Sequence, residues 1–418
     1  MRVDMSQTSA IHAGHPQENN WGQSTVPIFQ TASFACPTAQ ELADTFTGKK
    51  AGFAYTRSSN PTTAALERRL TELEQGVGCI AMASGMGAVS AVLLGLLRTG
   101  DQVVASAGLF GGTLTLLTRT LDRFGVVTRF VDVTDTDEVV RAVTPQTRLV
   151  LLETIGNPKM DVPDLQAIAD AAHRVSAPLV LDATVTTPAL MRARDFGADL
   201  VIHSTTKFIN GHGTAVGGAL IDTGLYDWAA GPFTQIHPFG TAQGKLAFLA
   251  YLRSVTYRDL GAAAAPMNSF LMLQGLETLP LRMARHCDHA LALARFLRDH
   301  QHVDWVHYPG LPDDPFYQRA DRQFGGRFGA LLTFGLGTRQ RSFRFINALR
   351  LAMNQTNIGD AKTLVIHPAS TIYHDFTPEQ KAAAGVGEDL IRVSVGLEEI
   401  DDLQNDFAQA LEKVVRDT

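Results

Sequence analysis

The sequence predicts an α/β protein built in two parts, and three observations predict it. Short apolar runs alternate with helical stretches from Cys79 to Ile221. A chain of 418 residues exceeds one ordinary core. After Ile221 the alternation fades into a long helical run, beyond which a second set of strands begins. A composition of 45% hydrophobic and 19% charged residues with 36 glycines is that of a compact α/β chain, not a disordered or fibrous one. The formal charge of −6 gives no field to hold nucleic acid or an anionic membrane. The opening Met-Arg-Val-Asp-Met-Ser has no apolar signal core, and no apolar run approaches spanning length, so a cytoplasmic location is expected.

Taken in order, residues 1–60 are poor in helical periodicity and rich in turn formers. Asn60, Thr62 or Thr63 is placed to cap a helix over 64–74. Tyr55 and Arg57 alternate, so on an extended segment both project from one side, either as a phosphate clamp or as a surface pair. Cys79–Ala83 reads as a strand, and Ser84-Gly85-Met86-Gly87 opens a helix to Leu97; glycine there lets a phosphate reach the first backbone N–H groups. Gln102–Ala105 leads to Phe110, which either stacks on a flat ligand ring or fills core.

A strand over 126–131 and a helix over 136–143 continue the alternation. Leu149–Leu152 then runs into Glu153-Thr154-Ile155-Gly156-Asn157-Pro158, which fits a central parallel strand with Asn157 emerging at its carboxyl end. A helix follows over 164–175, and the strand Leu179–Leu181 runs straight into Asp182. An acid at the end of a buried strand needs a cationic partner, such as a protonated pyridine nitrogen, or a helix N-terminus to cap. One strand–helix–strand unit later, Leu200–Ile202 ends in Ser204, Thr205, Thr206 and Lys207. An amine fixed beside hydroxyls suited to a phosphate can form a Schiff base with a phosphorylated aldehyde.

Gly231–Gly244 reads as irregular, and 245–297 as helical with breaks at Gly261, Pro266 and Gly275. His286-Cys287-Asp288-His289 falls there as the polar face of a helix; neighbours so close cannot all point at one ion, so no metal site is expected. Cys36, Cys79 and Cys287 make neither a disulfide framework nor a zinc pattern. Strands are expected over 303–307, 329–334, 363–366 and 390–396. Arg392 lies in the last of these, where it either captures a carboxylate with its two-pronged donor face or makes a structural salt bridge.

Together these motifs resemble the cysteine/methionine-metabolism family of pyridoxal-phosphate (PLP) enzymes, from about Ile11 to the C-terminus. The carriers are residues 55–62, 84–88, 153–158, Asp182, 203–207, 210–213, 367–370 and 392–398. Residues 258–262, 273–282 and 359–368, with Ile155-Gly156 before Asn157, are most similar to the O-acetylhomoserine sulfhydrylase branch. The resemblance implies the PLP-dependent transferase fold type I: a large, mainly parallel, seven-stranded-type sheet domain plus a smaller C-terminal α/β domain. It divides the chain into an arm (1–62) that completes the neighbouring subunit's site, a PLP-binding domain (63–265) and a C-terminal domain (266–418). The roles it implies are Lys207 as the residue that holds the cofactor and shuttles protons, and Asp182 on the pyridine nitrogen. Gly85, Met86, Ser204 and Thr206 fall on the phosphate, joined by Tyr55 and Arg57 from a second copy in a homo-oligomer that is usually a tetramer. Arg392, Asn157 and the Ser370 region fall on the substrate carboxylate.

The activity implied is γ-replacement on an O-acylated homoserine, by Cα and Cβ proton transfers through a vinylglycine-type intermediate, with sulfide or a thiol as the partner. A γ-lyase, or a γ-replacement enzyme with another leaving group or nucleophile, is the neighbouring reading. Many relatives carry tyrosine where this chain has Phe110, which keeps stacking and loses the hydroxyl; a good leaving group such as acetate needs little protonation.

Overall fold

The computed structural model describes residues 7–14 and 22–416. Seven strands form the larger sheet: β1 (Gly78–Met82), β2 (Gln102–Ser106), β3 (Val127–Val131), β4 (Thr147–Glu153), β5 (Leu179–Asp182), β6 (Leu200–His203) and β7 (Gly218–Asp222). Their spatial order is β1-β7-β6-β5-β4-β2-β3, all parallel except β7, which runs against both its neighbours. Side chains along these strands divide by the two-residue period. Ile80, Val103, Leu151, Val180 and Ile202 enter one core, while Ala81, Val104, Leu152, Leu181 and Val201 enter another. Both faces are thus covered, which is why these strands read as near-continuous apolar runs.

The second sheet is built from β8 (Trp305–His307), β9 (Leu331–Gly335), β10 (Met353–Asn354), β11 (Leu364–Ile366) and β12 (Leu390–Ser394), in the order β10-β11-β12-β9-β8. It is antiparallel apart from the β10–β11 pair. Leu331, Phe334 and Val393 of this sheet join the same core as Val104 and Val201 of the first, so one apolar interior links the two sheets. Among the described residues no helix is long and apolar enough to cross a membrane.

Several local expectations are corrected. The N-terminal arm contains helices at Gln7–His12 and Ala39–Phe46, the second capped by the Thr38 hydroxyl on the Glu41 N–H; eight residues are too few to show clear periodicity. A further helix spans His237–Gln243 in the stretch expected to be irregular. Gly275 does not break its helix, which continues over Pro266–Glu277. A Cβ at Gly275 would meet the Ile209 carbonyl oxygen at 2.2 Å, so this glycine serves close approach of two backbones. His286, Cys287 and His289 are buried, and do not form the polar face of the helix Leu279–Arg298. Their cost is met in part, since His286 Nδ1 bonds the Val395 carbonyl at 2.7 Å and His289 Nδ1 that of Gly396 at 3.3 Å, while His286 Nε2 stays without a protein partner.

Candidate active site

The carboxyl ends of β1, β2, β4, β5 and β6 lie along one edge of the large sheet, and β7 starts there, with Gly218 opposite Met82. Ligands of open α/β sheets bind at this edge. A cavity of about 680 Å³ opens there, walled by Ser84, Gly85, Met86, Phe110, Glu153, Asn157, Asp182, Ser204, Thr206, Lys207 and Arg392. The loop that leaves β10 of the second sheet closes it with Gln355, Thr356, Asn357 and Ile358. A wider groove of about 920 Å³ lies between the helices Pro61–Glu74 and Ala247–Ser254, but of its two acids Glu67 is already paired with Arg253 at 2.9 Å and Glu72 is exposed to solvent. Size does not decide between the two; chemistry does.

Lys207 leaves β6 through a turn in which its N–H bonds the Ser204 carbonyl at 3.1 Å. Its Nζ donates to Asn357 Oδ1 at 2.6 Å. Burial, then the Arg392 charge, pulls its pKa down to about 8. The loop beyond is held by buried Arg282, which donates to the carbonyls of Phe208 (2.7 Å) and Gly275 (2.6 Å). Thr205 turns away and donates to Met272 Sδ, leaving Ser204 and Thr206 on the cavity.

Asp182 ends β5 opposite Ile202 of β6, so the acid and the lysine arise from adjacent parallel strands. It accepts from the Thr184 N–H at 2.9 Å. Its carboxyl is partly open to the cavity yet surrounded by protein, and desolvation raises its pKa against the lowering effect of Thr184 and His203. Glu153 ends β4 directly across from Asp182, and burial followed by the Asp182 charge pushes it well above the usual carboxylate range.

Another part of the cavity wall suits a phosphate. Ser84 caps the twelve-residue helix Gly85–Leu96 by accepting from the Gly87 N–H at 3.0 Å, leaving the Gly85 and Met86 N–H groups of the first turn without a partner in the helix. A Cβ on Gly85 would lie 2.7 Å from Ser204 Cβ, so only glycine lets the helix start and this hydroxyl share one pocket. Phe110 borders the same space. Arg392 is 2% exposed; Nη1 donates to Asn157 Oδ1 at 3.0 Å, Nη2 to the Thr356 and Asn357 carbonyls, and buried Nε has no protein acceptor.

Three of the named site residues lie outside this chain's cavity, two of which, Tyr55 and Arg57, are expected to serve a second copy. Tyr55 forms an antiparallel bridge with Ser33 and then opens a turn, closed by the Ser58 N–H on its carbonyl at 2.9 Å, so the extended backbone does not run on to Arg57. The helix starting at Pro61 with its Asn60 cap follows directly on this turn. Arg57 still lies over the Tyr55 ring, 5.5 Å from its centre, but neither residue lines this chain's cavity. Ser370 also stands outside the wall, its hydroxyl 2.9 Å from His367 Nδ1. In the other direction, Glu153, Thr184 and Asn357 line the site without having been assigned roles from the sequence.

An amine that can condense with an aldehyde, beside an acid and an anion pocket, suits a PLP-dependent enzyme acting on amino acids. The chain belongs to the Cys/Met metabolism PLP-dependent enzyme family, whose model matches residues 7–412. It is 41% identical over 419 residues to the homocysteine synthase of Schizosaccharomyces pombe, covering 97% of this chain and 98% of that protein. It is 40% identical to the O-acetyl-L-homoserine sulfhydrylase of Leptospira meyeri, with 98% and 97% covered. A putative O-acetylhomoserine (thiol)-lyase from Campylobacter jejuni, solved with N'-pyridoxyl-lysine-5'-monophosphate in its chain, superposes with a TM-score of 0.90 at 32% identity, covering 99% and 100%.

The lowered pKa of Lys207 has a direct readout. Only the neutral amine attacks an aldehyde. Uptake of pyridoxal phosphate by the cofactor-free protein, followed by absorbance, is expected to quicken with rising pH and level off above about 8. A profile still climbing toward the ordinary lysine value would contradict the desolvated setting.

Proposed function

We propose that this enzyme transfers the aminocarboxypropyl group of O-acetyl-L-homoserine to sulfide or a thiol, releasing acetate and forming L-homocysteine or a thioether. The Cγ–O bond breaks, the Cγ–S bond forms, and acetate leaves with the electron pair of the C–O bond. The observation that carries this reading is the desolvated Lys207 amine, sharing one cavity with Asp182 and Arg392 in a chain whose full-length relatives bear sulfhydrylase and homocysteine synthase names.

Pyridoxal phosphate bound here supplies a sink for the electron pairs released when the substrate's C–H bonds break. Ser204 and Thr206 hydroxyls and the Gly85 and Met86 N–H groups bind the phosphate, and Asp182 holds a proton at the ring nitrogen. Phe110 covers the ring. Arg392 and Asn157 orient the substrate carboxylate, which places Cα within reach of Lys207. The lysine Nζ takes the Cα proton and returns it at the end of the cycle, and a pKa near 8 lets it do both near neutral pH. Phe110 offers no acid to the leaving group, which suits acetate better than a thiolate.

Tyr55 and Arg57 complete the phosphate site of a second copy of this chain. In support, both are exposed on an arm that also exposes Phe29 and Phe46, and both lie outside their own cavity.

Purified enzyme with O-acetyl-L-homoserine and sulfide is expected to yield homocysteine and acetate in equal amounts. Formation of 2-oxobutanoate at the same rate with and without sulfide would replace this reading by a γ-lyase.

A further inference from the structure

Glu153 is an acid at the working edge of the sheet to which the chemistry above gives no task. It is 9% exposed and borders the cavity. Its two oxygens face two different loops. Oε1 accepts from the Phe110 N–H at 2.7 Å, and Oε2 accepts from the Asn157 N–H at 3.2 Å. The same loops are joined from a second direction by Tyr373, whose hydroxyl lies 3.3 Å from the Leu109 carbonyl and 3.2 Å from that of Asn157.

We propose that Glu153 is a positioning residue that clamps the Phe110 loop to the Asn157 loop, so that the ring-covering face and the carboxylate pocket for the amino acid stay at one fixed separation. This rests on the reading that Phe110 covers the ring and that Asn157, with Arg392, takes the carboxylate.

A carboxylate is an acceptor at both oxygens, which matches two inward N–H donors. Glutamine keeps the length but turns one oxygen into an NH₂ that meets an N–H head-on, so one loop must move. Aspartate keeps both acceptors but is one methylene short of spanning the two loops. Placing a second acid directly across from Asp182 is unfavourable and raises its pKa; the two loop N–H bonds work against that rise by favouring the ionised form, and they give the residue a reason to be there. A residue needed only to cap β4 would not have to bridge loops that arise from β2 and β4.

The test uses holoenzyme and L-norvaline, which has the amine and carboxylate of the substrate but no leaving group. Its binding is followed by the change in cofactor absorbance, alongside the melting temperature of the cofactor-free protein. In Glu153→Gln, the dissociation constant for norvaline is expected to rise by about tenfold or more. Glu153→Asp is expected to change in the same direction. Should Glu153→Gln yield no soluble holoenzyme, Glu153→Asp decides by the same threshold. Norvaline affinity within about twofold of wild type would overturn the clamp, even if the melting temperature fell, because that is the signature of a purely structural acid. Wild-type enzyme that binds norvaline but makes no homocysteine would sink the assigned reaction and leave the clamp standing.

Discussion

Lys207→Met is expected to lower homocysteine formation by about a thousandfold or more and, at the same time, to make the cofactor-free protein more stable at neutral pH. The first effect follows from removing the group that moves the Cα proton. The second follows from burial. The amine is pulled down to about 8 in the fold from an ordinary value of 10.5, so the fold disfavours its charged form. The sign is fixed by linkage: the unfolded chain binds the proton more tightly, so the penalty is fully present below about pH 8. It fades as pH rises toward the ordinary lysine value. Methionine fills the space without charge and leaves only Asn357 Oδ1 short of a donor, so a gain of about 1–2 kcal/mol is expected at pH 7, after discounting for solvent at the cavity mouth. Denaturant melts of the two cofactor-free proteins at pH 7 and pH 9.5 measure it; the gap should narrow at the higher pH. A variant less stable than wild type at pH 7 would mean that the amine is not desolvated.

The residues legible in the sequence share one property: their signal is local. Asp182 announces itself because an acid directly follows a run of apolar residues, and Lys207 because hydroxyls and a glycine break surround it. The same rule, applied evenly, would have found Glu153, which follows Leu149–Leu152 just as Asp182 follows Leu179–Leu181. Asn357 had no such signal. It sits in an aperiodic loop 150 positions from Lys207, and only the packing of the second sheet over the first brings its amide to the lysine. His286 and His289 were misread for a related reason: polar letters on a helix suggest an outward face, whereas here the carbonyls of Val395 and Gly396 wait for them inside. Gly275 likewise looked like a break because the sequence cannot display the backbone of residues 209–210 lying against it. The strand order was legible only as far as βαβ alternation goes; the reversal of β7 between β1 and β6 depends on which edge the returning chain meets.

Arg392→Lys is expected to raise the KM for O-acetyl-L-homoserine by about a hundredfold, while kcat changes much less. The guanidinium is deeply buried, and three of its contacts fix its plane: Asn157 Oδ1 at 3.0 Å and the carbonyls of Thr356 and Asn357 at 3.1 and 3.3 Å. Nε is left in a buried position with no protein acceptor. A buried donor without a partner is costly, and a substrate carboxylate removes that cost on binding. Burial pulls its pKa down to about 10, which still leaves a cation at working pH. Lysine preserves the charge but presents a single point, so it cannot keep the Asn157 bond and engage a carboxylate in two places at once. A KM within about threefold of wild type would mean that the carboxylate is held elsewhere. A second substitution separates shape from charge. Arg392 is the second cause of the lowered Lys207 pKa, after burial. Arg392→Met should therefore move the midpoint of pyridoxal-phosphate uptake to higher pH, whereas Arg392→Lys should leave it near the wild-type value, even though both variants bind the amino acid poorly.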